Sequence, residues 1–211
     1  MTNTNTPPVT VWDASVLLGV YASQEDVWRR LVGRRKSPAP IVTLELGSGA
    51  GVASLLVAKS NNVRSNNCIM VMTDLPGTIN FTKLNIHSNI EKISSNTMIV
   101  TKPLRWGRLE DIARLPAELS QPDIVFGADL LYTCDETVIR ALADTVTWLA
   151  KRVAVFAVCK QHRPESIVLF LSLVKEQFDV KLVSASKVHE DLLASDEDFS
   201  IIELWRKRRR R

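Results

Sequence analysis

The chain has 211 residues, of which 45% are hydrophobic and 24% charged, and this is the composition of one globular domain. No run approaches ~20 consecutive apolar residues, and the polar start over residues 1–8 lacks the charged and apolar regions of a signal peptide. We therefore expect a soluble protein of the cytoplasm, with the nucleus as a second location, and no membrane contact. The three cysteines are widely spaced, so the sequence supports neither a disulfide framework nor a zinc site.

The positive charge of the chain is concentrated at its C-terminus. The formal net charge is +4, but residues 206–211 carry six positive charges, which leaves −2 for residues 1–205. We therefore divide the chain into a domain over 1–205 and a basic tail over 206–211. Such a tail can bind nucleic acid, an acidic protein surface or a nuclear import receptor. A solvated end that only prevents aggregation is an equal alternative, and no other feature supports a nucleic-acid contact.

Apolar runs typical of buried strands alternate with helical patterns along the chain. Residues 23–26 resemble an N-cap, and they predict a helix through Leu31 that ends at Gly33. Strands are predicted over 41–46, 68–73, 97–101, 123–128, 153–158, 178–183 and 199–205, with helices over 77–88, 135–150 and 165–177. Short loops are predicted over 37–40, 61–67 and 92–96. This alternation indicates an α/β fold with a doubly wound parallel sheet.

The first strand leads into a glycine-rich turn, which predicts a ligand site. Glu45 and Leu46 precede Gly47, Ser48, Gly49, Ala50 and Gly51, and a short helical run follows. Val52 stands where a dinucleotide motif has its third glycine, and no P-loop lysine follows, so a pyrophosphate ligand is disfavoured. Asp74 ends the next strand, where such folds bind ribose hydroxyls. A nucleoside without phosphates fits both features, although three glycines in a tight turn can also be purely structural.

A second candidate site follows the fourth strand. The apolar run over 123–128 ends in Asp129, Leu130, Leu131 and Tyr132. If a helical turn begins at Asp129, positions i and i+3 face the same way, so its carboxylate and the phenol of Tyr132 point together over the sheet edge. This pair could hold and orient an amine.

Together these motifs resemble a known family. They are the glycine turn with its leading acid, Asp74, Trp106 within residues 104–107, the Asp129–Tyr132 element, and the Trp12 segment over residues 11–18. The chain is similar, from about Trp12 to Trp205, to the seven-strand S-adenosylmethionine-dependent protein-lysine methyltransferases of the METTL21-like group (methyltransferase family 16). The resemblance implies a seven-stranded, mostly parallel sheet of the Rossmann-like class I methyltransferase type.

The resemblance also implies roles for individual residues. Asp129 and Tyr132 would face the acceptor amine as the catalytic pair, with no metal ion. The residues implied to bind S-adenosylmethionine are Trp12, Glu45, Gly47, Ser48, Gly49, Gly51, Asp74, Leu75, Trp106 and Ala128. Either tryptophan could instead be a plain core aromatic. Two features depart from the family: Arg105 replaces a usual acid, and the segment before Trp12 is short.

The implied reaction is methylation of a lysine side chain in a protein substrate, an elongation factor or a chaperone, by a monomeric enzyme. Lys160 and Arg163 could form the substrate rim, or simply a solvated loop, and His87, His162 and His189 are too isolated to bind a metal. A nucleic-acid amino-methyltransferase is the nearest enzymatic alternative, and the arginine tail gives it some support. Such enzymes usually have two prolines where Leu130 and Leu131 stand, which disfavours this alternative. A small-molecule methyltransferase and a non-catalytic, cofactor-gated interaction protein remain as further alternatives.

Overall fold

The computed structural model describes residues 10–34, 38–64, 66–161, 163–188 and 198–208. His162 and His189 lie outside these ranges. The strands are β1 (Ile41–Leu46), β2 (Cys68–Asp74), β3 (Thr97–Pro103), β4 (Ile124–Ala128), β5 (Val153–Cys159), β6 (Phe178–Ser184) and β7 (Phe199–Arg206). The α-helices are α1 (Asp13–Ser23), α2 (Glu25–Val32), α3 (Val52–Lys59), α4 (Asn61–Arg64), α5 (Ile79–Asn89), α6 (Leu109–Ala113), α7 (Glu136–Leu149) and α8 (Pro164–Val174).

The seven strands form one sheet in the order β3-β2-β1-β4-β5-β7-β6. β1 to β5 are parallel, and β7 lies antiparallel between β5 and β6. The order reverses between β1 and β4, which pair directly although two strands separate them in the chain. Open sheets of this kind bind ligands at the carboxyl ends of the strands beside such a reversal. The glycine turn and Asp129 both lie there.

The two faces of the sheet are buried in separate apolar layers. Residues of α1, α2 and α3 pack on one face with the β1 residue Ile41, while residues of α7 and α8 pack on the other with the next β1 residue, Val42. Successive strand residues point to opposite faces. Strands covered on both faces therefore lack polar-out alternation, and every residue of β1 and β5 is buried, including the polar Thr43 and Glu45 of β1.

The predicted elements lie where the sequence pattern put them, with differences at their ends. α2 ends at Val32 and is capped by Gly33, whose φ is +67°. The predicted loop over 61–67 is wrong in part, because it begins with the one-turn helix α4, and α6 was not predicted at all. Within the described residues no helix is long and apolar enough to cross a membrane.

The boundary predicted between domain and tail is also shifted. β7 includes Arg206, whose backbone N–H donates to the carbonyl of Arg152 at 2.8 Å. Its guanidinium lies 5.0 Å from the Phe178 ring, and the Nζ of Lys207 donates to the carbonyl of Lys175 at 2.7 Å. The first two residues of the predicted tail therefore belong to the folded domain.

Candidate active site

The turn after β1 has a backbone that requires glycine. Gly47, Gly49 and Gly51 all have positive φ, at +57°, +51° and +74°. A Cβ at Gly47 would lie 2.6 Å from Cδ2 of Leu130, and one at Gly51 would lie 2.9 Å from Sδ of Met72. Both contacts are too short for a real side chain, and φ in this range strains any L-residue. The prediction that this turn requires residues that tolerate positive φ is therefore confirmed at these three positions.

Asp74 is joined to this turn by hydrogen bonds. Its carboxylate accepts from the backbone N–H of Gly49 and from that of Leu75, each at 2.7 Å. The N–H of Ser48 donates to the carbonyl of Thr73 at 2.9 Å. The end of β2 therefore fixes the turn after β1, and it brings the predicted ribose-binding carboxylate beside the glycines.

The hydroxyl of Ser48 provides a test of whether a polar ligand fits this turn. Its Oγ is buried and has no hydrogen-bond partner within the described part of the protein. A buried hydroxyl without a partner costs free energy, so this oxygen would gain from a hydrogen bond to a ligand. Beside it, an added Cβ at Gly49 would meet nothing within 4 Å, so this open space and the Ser48 hydroxyl make the turn suited to a ligand with polar groups.

Glu45 lies behind the turn. Its side chain is 2% exposed and accepts hydrogen bonds from the backbone N–H and the Oγ of Ser54, in the first turn of α3. Burial raises the pKa of Glu45 to about 7, against the opposing effect of those hydrogen bonds. The structure thus gives Glu45 a role in fixing α3 to β1, and its direct contact with a cofactor stays a prediction.

Trp106 borders the same turn from the β3 side. Its side chain is half-buried against the core layer that contains Leu130, and its Cζ2 lies 3.3 Å from the Cβ position at Gly47. The following residue, Gly107, donates its N–H to Oγ1 of Thr145 in α7 at 2.8 Å. Trp106 is therefore placed beside the predicted nucleoside site.

Arg105 replaces an acid of the family pattern, and the structure shows its partner. Its Nε and Nη2 each donate to the carboxylate of Asp111 at 2.8 Å, and its backbone N–H donates to the same carboxylate at 3.0 Å. These hydrogen bonds lower the pKa of Asp111 to about 2. The ion pair between Arg105 and Asp111 thus stabilises the segment that follows β3 and contains Trp106.

The segment after β4 does not form the helical turn that would align Asp129 with Tyr132. Asp129 has φ +54°, and no residue from 129 to 135 is helical. Leu130 and Leu131 are both buried, and the left-handed residue turns the chain so that they can enter the core. Tyr132 is 60% exposed, whereas Asp129 is half-buried with its N–H bonded to the carbonyl of Ala157 at 2.8 Å. The expectation based on i, i+3 spacing is therefore wrong.

The remaining predicted residues lie at or just beyond the ends of strands and helices. Ala128 ends β4 and is buried, and Leu75 follows Asp74 and is exposed. Trp12 is the N-cap of α1 and is 49% exposed, so the alternative of a core aromatic is wrong for it. Lys160 follows β5, and its N–H donates to the carbonyl of Asp198 at 2.6 Å. Arg163 is the N-cap of α8.

Sequence reasoning missed the side chains that brace this edge. Thr82 and Asn85 of α5 bond to carbonyls of the glycine turn, and Ser166 of α8 donates its Oγ to the carbonyl of Thr133 at 2.5 Å. These pairs are 33 or 35 positions apart, so no local pattern reveals them. Among the described residues no cluster of three or more histidine, cysteine, aspartate or glutamate side chains could hold a metal ion.

The sheet order, the antiparallel β7 and the glycine turn at the reversal define the class I methyltransferase fold. A Listeria monocytogenes protein assigned to the class I S-adenosylmethionine-dependent methyltransferases superimposes with a TM-score of 0.60. It is 11% identical, and the match covers 95% of this chain and 63% of that one. The S-adenosylmethionine-bound magnesium protoporphyrin IX methyltransferase of Synechocystis gives 0.52 at 13% identity, covering 94% and 99%.

The amino-acid sequence narrows this class to one family. The family model described as lysine methyltransferase matches residues 3–177, so the chain belongs to this family. The human protein-lysine N-methyltransferase EEF2KMT is 28% identical over 176 residues, which is 78% of this chain and 46% of that protein. This chain thus spans about half the length of the curated relatives that it matches.

Proposed function

We propose that this chain is an S-adenosylmethionine-dependent methyltransferase that modifies a lysine side chain of a protein. The observation that carries the proposal is the arrangement of Asp129 directly after β4 and next to the glycine turn, in a chain of the lysine methyltransferase family. Leu130 makes the connection, because it follows Asp129 and its side chain packs on Gly47. A carboxylate in this position can bind an ammonium beside the cofactor site.

The residues of the glycine turn fit S-adenosylmethionine. Gly47, Ser48 and Gly49 would hold its methionine part, Asp74 its ribose hydroxyls, and Trp106 would pack beside its adenine. The unpaired Oγ of Ser48 and the carboxylate at the end of β2 support this assignment. When bound, the cofactor supplies a methyl group on a sulfonium, which is an electrophile that needs no metal ion.

Asp129 binds and orients the lysine rather than deprotonating it. Presenting a lysine of pKa 10.4 as the neutral amine at pH 7 costs about 4.6 kcal/mol. A nearby carboxylate stabilises the ammonium, so Asp129 alone would increase this cost. The positive sulfonium and partial desolvation act in the opposite direction. We therefore expect the rate to come mainly from holding the nitrogen lone pair on the axis of the methyl group.

The protein substrate, the location and the assembly belong to the proposal as well. Elongation factors and chaperones, the substrate classes implied by the family resemblance, are the first candidates. The half-buried carboxylate of Asp129 suits a cationic side chain, and the exposed Tyr132 and Trp12 suit the aliphatic stem of a lysine. We place the protein in the cytoplasm and treat it as a monomer.

The test is transfer of a labelled methyl group to protein in a lysate depleted of endogenous methylation. The wild-type protein is compared with Asp129→Ala and with Asp144→Ala, which removes an exposed carboxylate from α7. We expect a discrete labelled band with the wild type and Asp144→Ala, and at least a 100-fold weaker band with Asp129→Ala. Mass spectrometry of the band then identifies the lysine.

Cofactor affinity, measured by calorimetry on the same three proteins, separates binding from transfer. We expect Asp129→Ala to bind S-adenosylmethionine within a few fold of the wild type. Equal loss of binding and transfer would contradict the role of Asp129. Label in RNA or in small molecules instead of protein would contradict the proposed substrate, and cofactor binding without any transfer would favour the non-catalytic alternative.

A further inference from the structure

Two neutral side chains of helix α5 donate hydrogen bonds to the glycine turn. Oγ1 of Thr82 donates to the carbonyl of Gly49, and Nδ2 of Asn85 donates to the carbonyl of Ala50, both at 2.6 Å. The two residues are three positions apart and so lie on the same face of the helix. Thr82 is fully buried and Asn85 is partly buried. Neither residue belongs to the predicted cofactor set.

A second pair of hydrogen bonds fixes Asn85 itself. Asn89, one turn further along α5, donates its Nδ2 to the Oδ1 of Asn85 at 3.1 Å and to its carbonyl at 2.9 Å. Nζ of Lys59 at the end of α3 donates to Oδ1 of Asn89 at 3.2 Å. A row of polar side chains thus runs along one face of α5 from the end of α3 to the glycine turn, and it holds Asn85 in one orientation.

The two carbonyls belong to a segment with unusual conformational freedom. Gly49 and Gly51 flank Ala50, and glycine reaches positive and negative φ with similar ease. A peptide unit is planar, so a fixed carbonyl also fixes the N–H of the following residue. The bond from Asn85 to Ala50 therefore orients the N–H of Gly51, which donates to the carbonyl of Ser48 at 2.6 Å. Side chains from α5 thereby add to the hydrogen bonds from the end of β2 that already hold the turn.

We propose that Thr82 and Asn85 are positioning residues that determine the affinity of this protein for its cofactor by holding the glycine turn in its binding conformation. This inference rests on the proposed function. A turn that is ordered before binding does not have to be ordered by the ligand, so the affinity is higher. Loss of either bond leaves a carbonyl without its partner and gives the turn further conformations. The effect acts on cofactor binding, whereas Asp129 acts on transfer.

The experiment compares Thr82→Val, Thr82→Ser and Asn85→Ala with Asn80→Ala, which lies on the exposed side of α5. Valine keeps the shape of threonine without the hydroxyl, and serine keeps the hydroxyl. Dissociation constants for S-adenosylmethionine and S-adenosylhomocysteine are measured by calorimetry. We expect Thr82→Val and Asn85→Ala to bind both ligands ~3–10-fold more weakly, as loss of one hydrogen bond allows. Thr82→Ser and Asn80→Ala should bind within twofold of the wild type.

Two further readouts separate positioning from a general loss of structure. Steady-state kinetics should show a raised KM for the cofactor with kcat within twofold of the wild type, and amide hydrogen exchange should become faster at residues 48–51 but not in β5. Unchanged affinity in both Thr82→Val and Asn85→Ala would overturn the inference, as would a serine variant as weak as the valine variant.

The failure of this inference can be told apart from the failure of the proposed function. If the wild type binds the cofactor but transfers no methyl group, the transfer reaction is wrong, and weaker binding by the two variants still supports the positioning role. If the wild type binds and transfers while the variants match it in affinity, only the positioning role is wrong. If the wild type binds no cofactor, both are overturned.

Discussion

Gly47 illustrates how a single missing Cβ shapes the candidate site. Its φ of +57° is costly for any residue with a side chain, and the position of its absent Cβ is bounded by Leu130 and Trp106. Leu130 directly follows Asp129 in the chain. A change at Gly47 would therefore disturb the cofactor turn and the proposed lysine-binding segment together.

We expect Gly47→Ala to weaken binding of S-adenosylmethionine at least tenfold and to reduce the free energy of unfolding by ~1–3 kcal/mol, because the added Cβ meets Leu130 and the left-handed backbone is strained. Gly77→Ala is the matched control, since a Cβ there meets nothing within 4 Å and its φ is not left-handed. Calorimetry and urea denaturation measure the two effects. Equal affinity in the two variants would contradict the steric argument.

Glu45 makes the free energy of unfolding depend on pH. Its pKa is raised by burial from 4.5 to about 7 in the folded protein. The folded state therefore binds this proton more tightly than the unfolded state. The stability that this adds is complete below pH 4.5, and it is lost as the pH rises through 7.

We expect the wild type to lose on the order of 2 kcal/mol of its free energy of unfolding between pH 5 and pH 8, relative to Glu45→Gln, which cannot ionise. Urea denaturation at four pH values in this window measures the difference between the two proteins. Parallel stability curves would show that Glu45 has an ordinary pKa in the folded protein.

At the scale of elements, α8 supports the segment after β4. Ser166 is buried in the first turn of α8 and donates to the carbonyl of Thr133, between Tyr132 and α7. Residues 129–135 have no helix or strand of their own, so bonds of this kind hold them in place. α5 supports the cofactor turn and α8 supports the proposed lysine site.

We expect Ser166→Ala to reduce kcat ~3–10-fold while KM for S-adenosylmethionine stays unchanged, because it loosens the segment that carries Asp129 but not the glycine turn. The control is Ser172→Ala, which removes an exposed hydroxyl from the same helix. Steady-state kinetics with the identified protein substrate provide the measurement. A raised KM for the cofactor would argue against this division of labour between α5 and α8.

The sequence predicted those strands and helices whose hydrophobic pattern extends over the whole element. β1 and β5 are buried on both faces, so they are mostly apolar and have no polar-out alternation, and such runs are recognisable in the sequence. The five residues of α6 are too few to show helical periodicity. Asp129 adopts a left-handed φ although it is not glycine, and an aspartate alone is not enough to predict this conformation.

Roles were harder to predict than positions. Glu45 precedes the glycines as the family pattern requires, yet its side chain faces Ser54 of α3. Arg105 departed from the pattern, yet Asp111, six residues on, provides its partner. In both cases the side chain forms hydrogen bonds to a residue that reaches it only in the folded protein. The sequence pattern therefore does not reveal the contact.

For the whole molecule, the sheet joins a parallel half that carries the site to an antiparallel end. The buried Glu203 of β7 accepts hydrogen bonds from Tyr21, Arg30 and Trp205. Burial alone would raise the pKa of Glu203, but these hydrogen bonds outweigh it and hold the pKa below its usual value. The network ties α1 and α2 to the last strand. The N-terminal helices and the C-terminal strand therefore stabilise each other.

We expect a chain that ends at Lys207 to melt about 5 °C or more above one that ends at Trp205, because Arg206 and Lys207 bond to Arg152, Thr147, Gln177 and Lys175. Differential scanning fluorimetry of the two truncated chains measures this difference. Equal melting temperatures would show that these contacts add no stability and that the domain ends at Trp205.

Because β7 is antiparallel, the C-terminal end of this strand lies at the opposite edge of the sheet from the candidate active site. Its last residues pair with the first residues of β5 and β6, at the amino ends of the parallel strands. The end of β7 at Arg206 thus lies roughly 20 Å, the length of β5, from the edge that carries Asp74 and Asp129. A sensor chip or affinity bead coupled through the C-terminus would leave the cofactor edge facing solution, so immobilised protein should capture substrates as freely as dissolved protein.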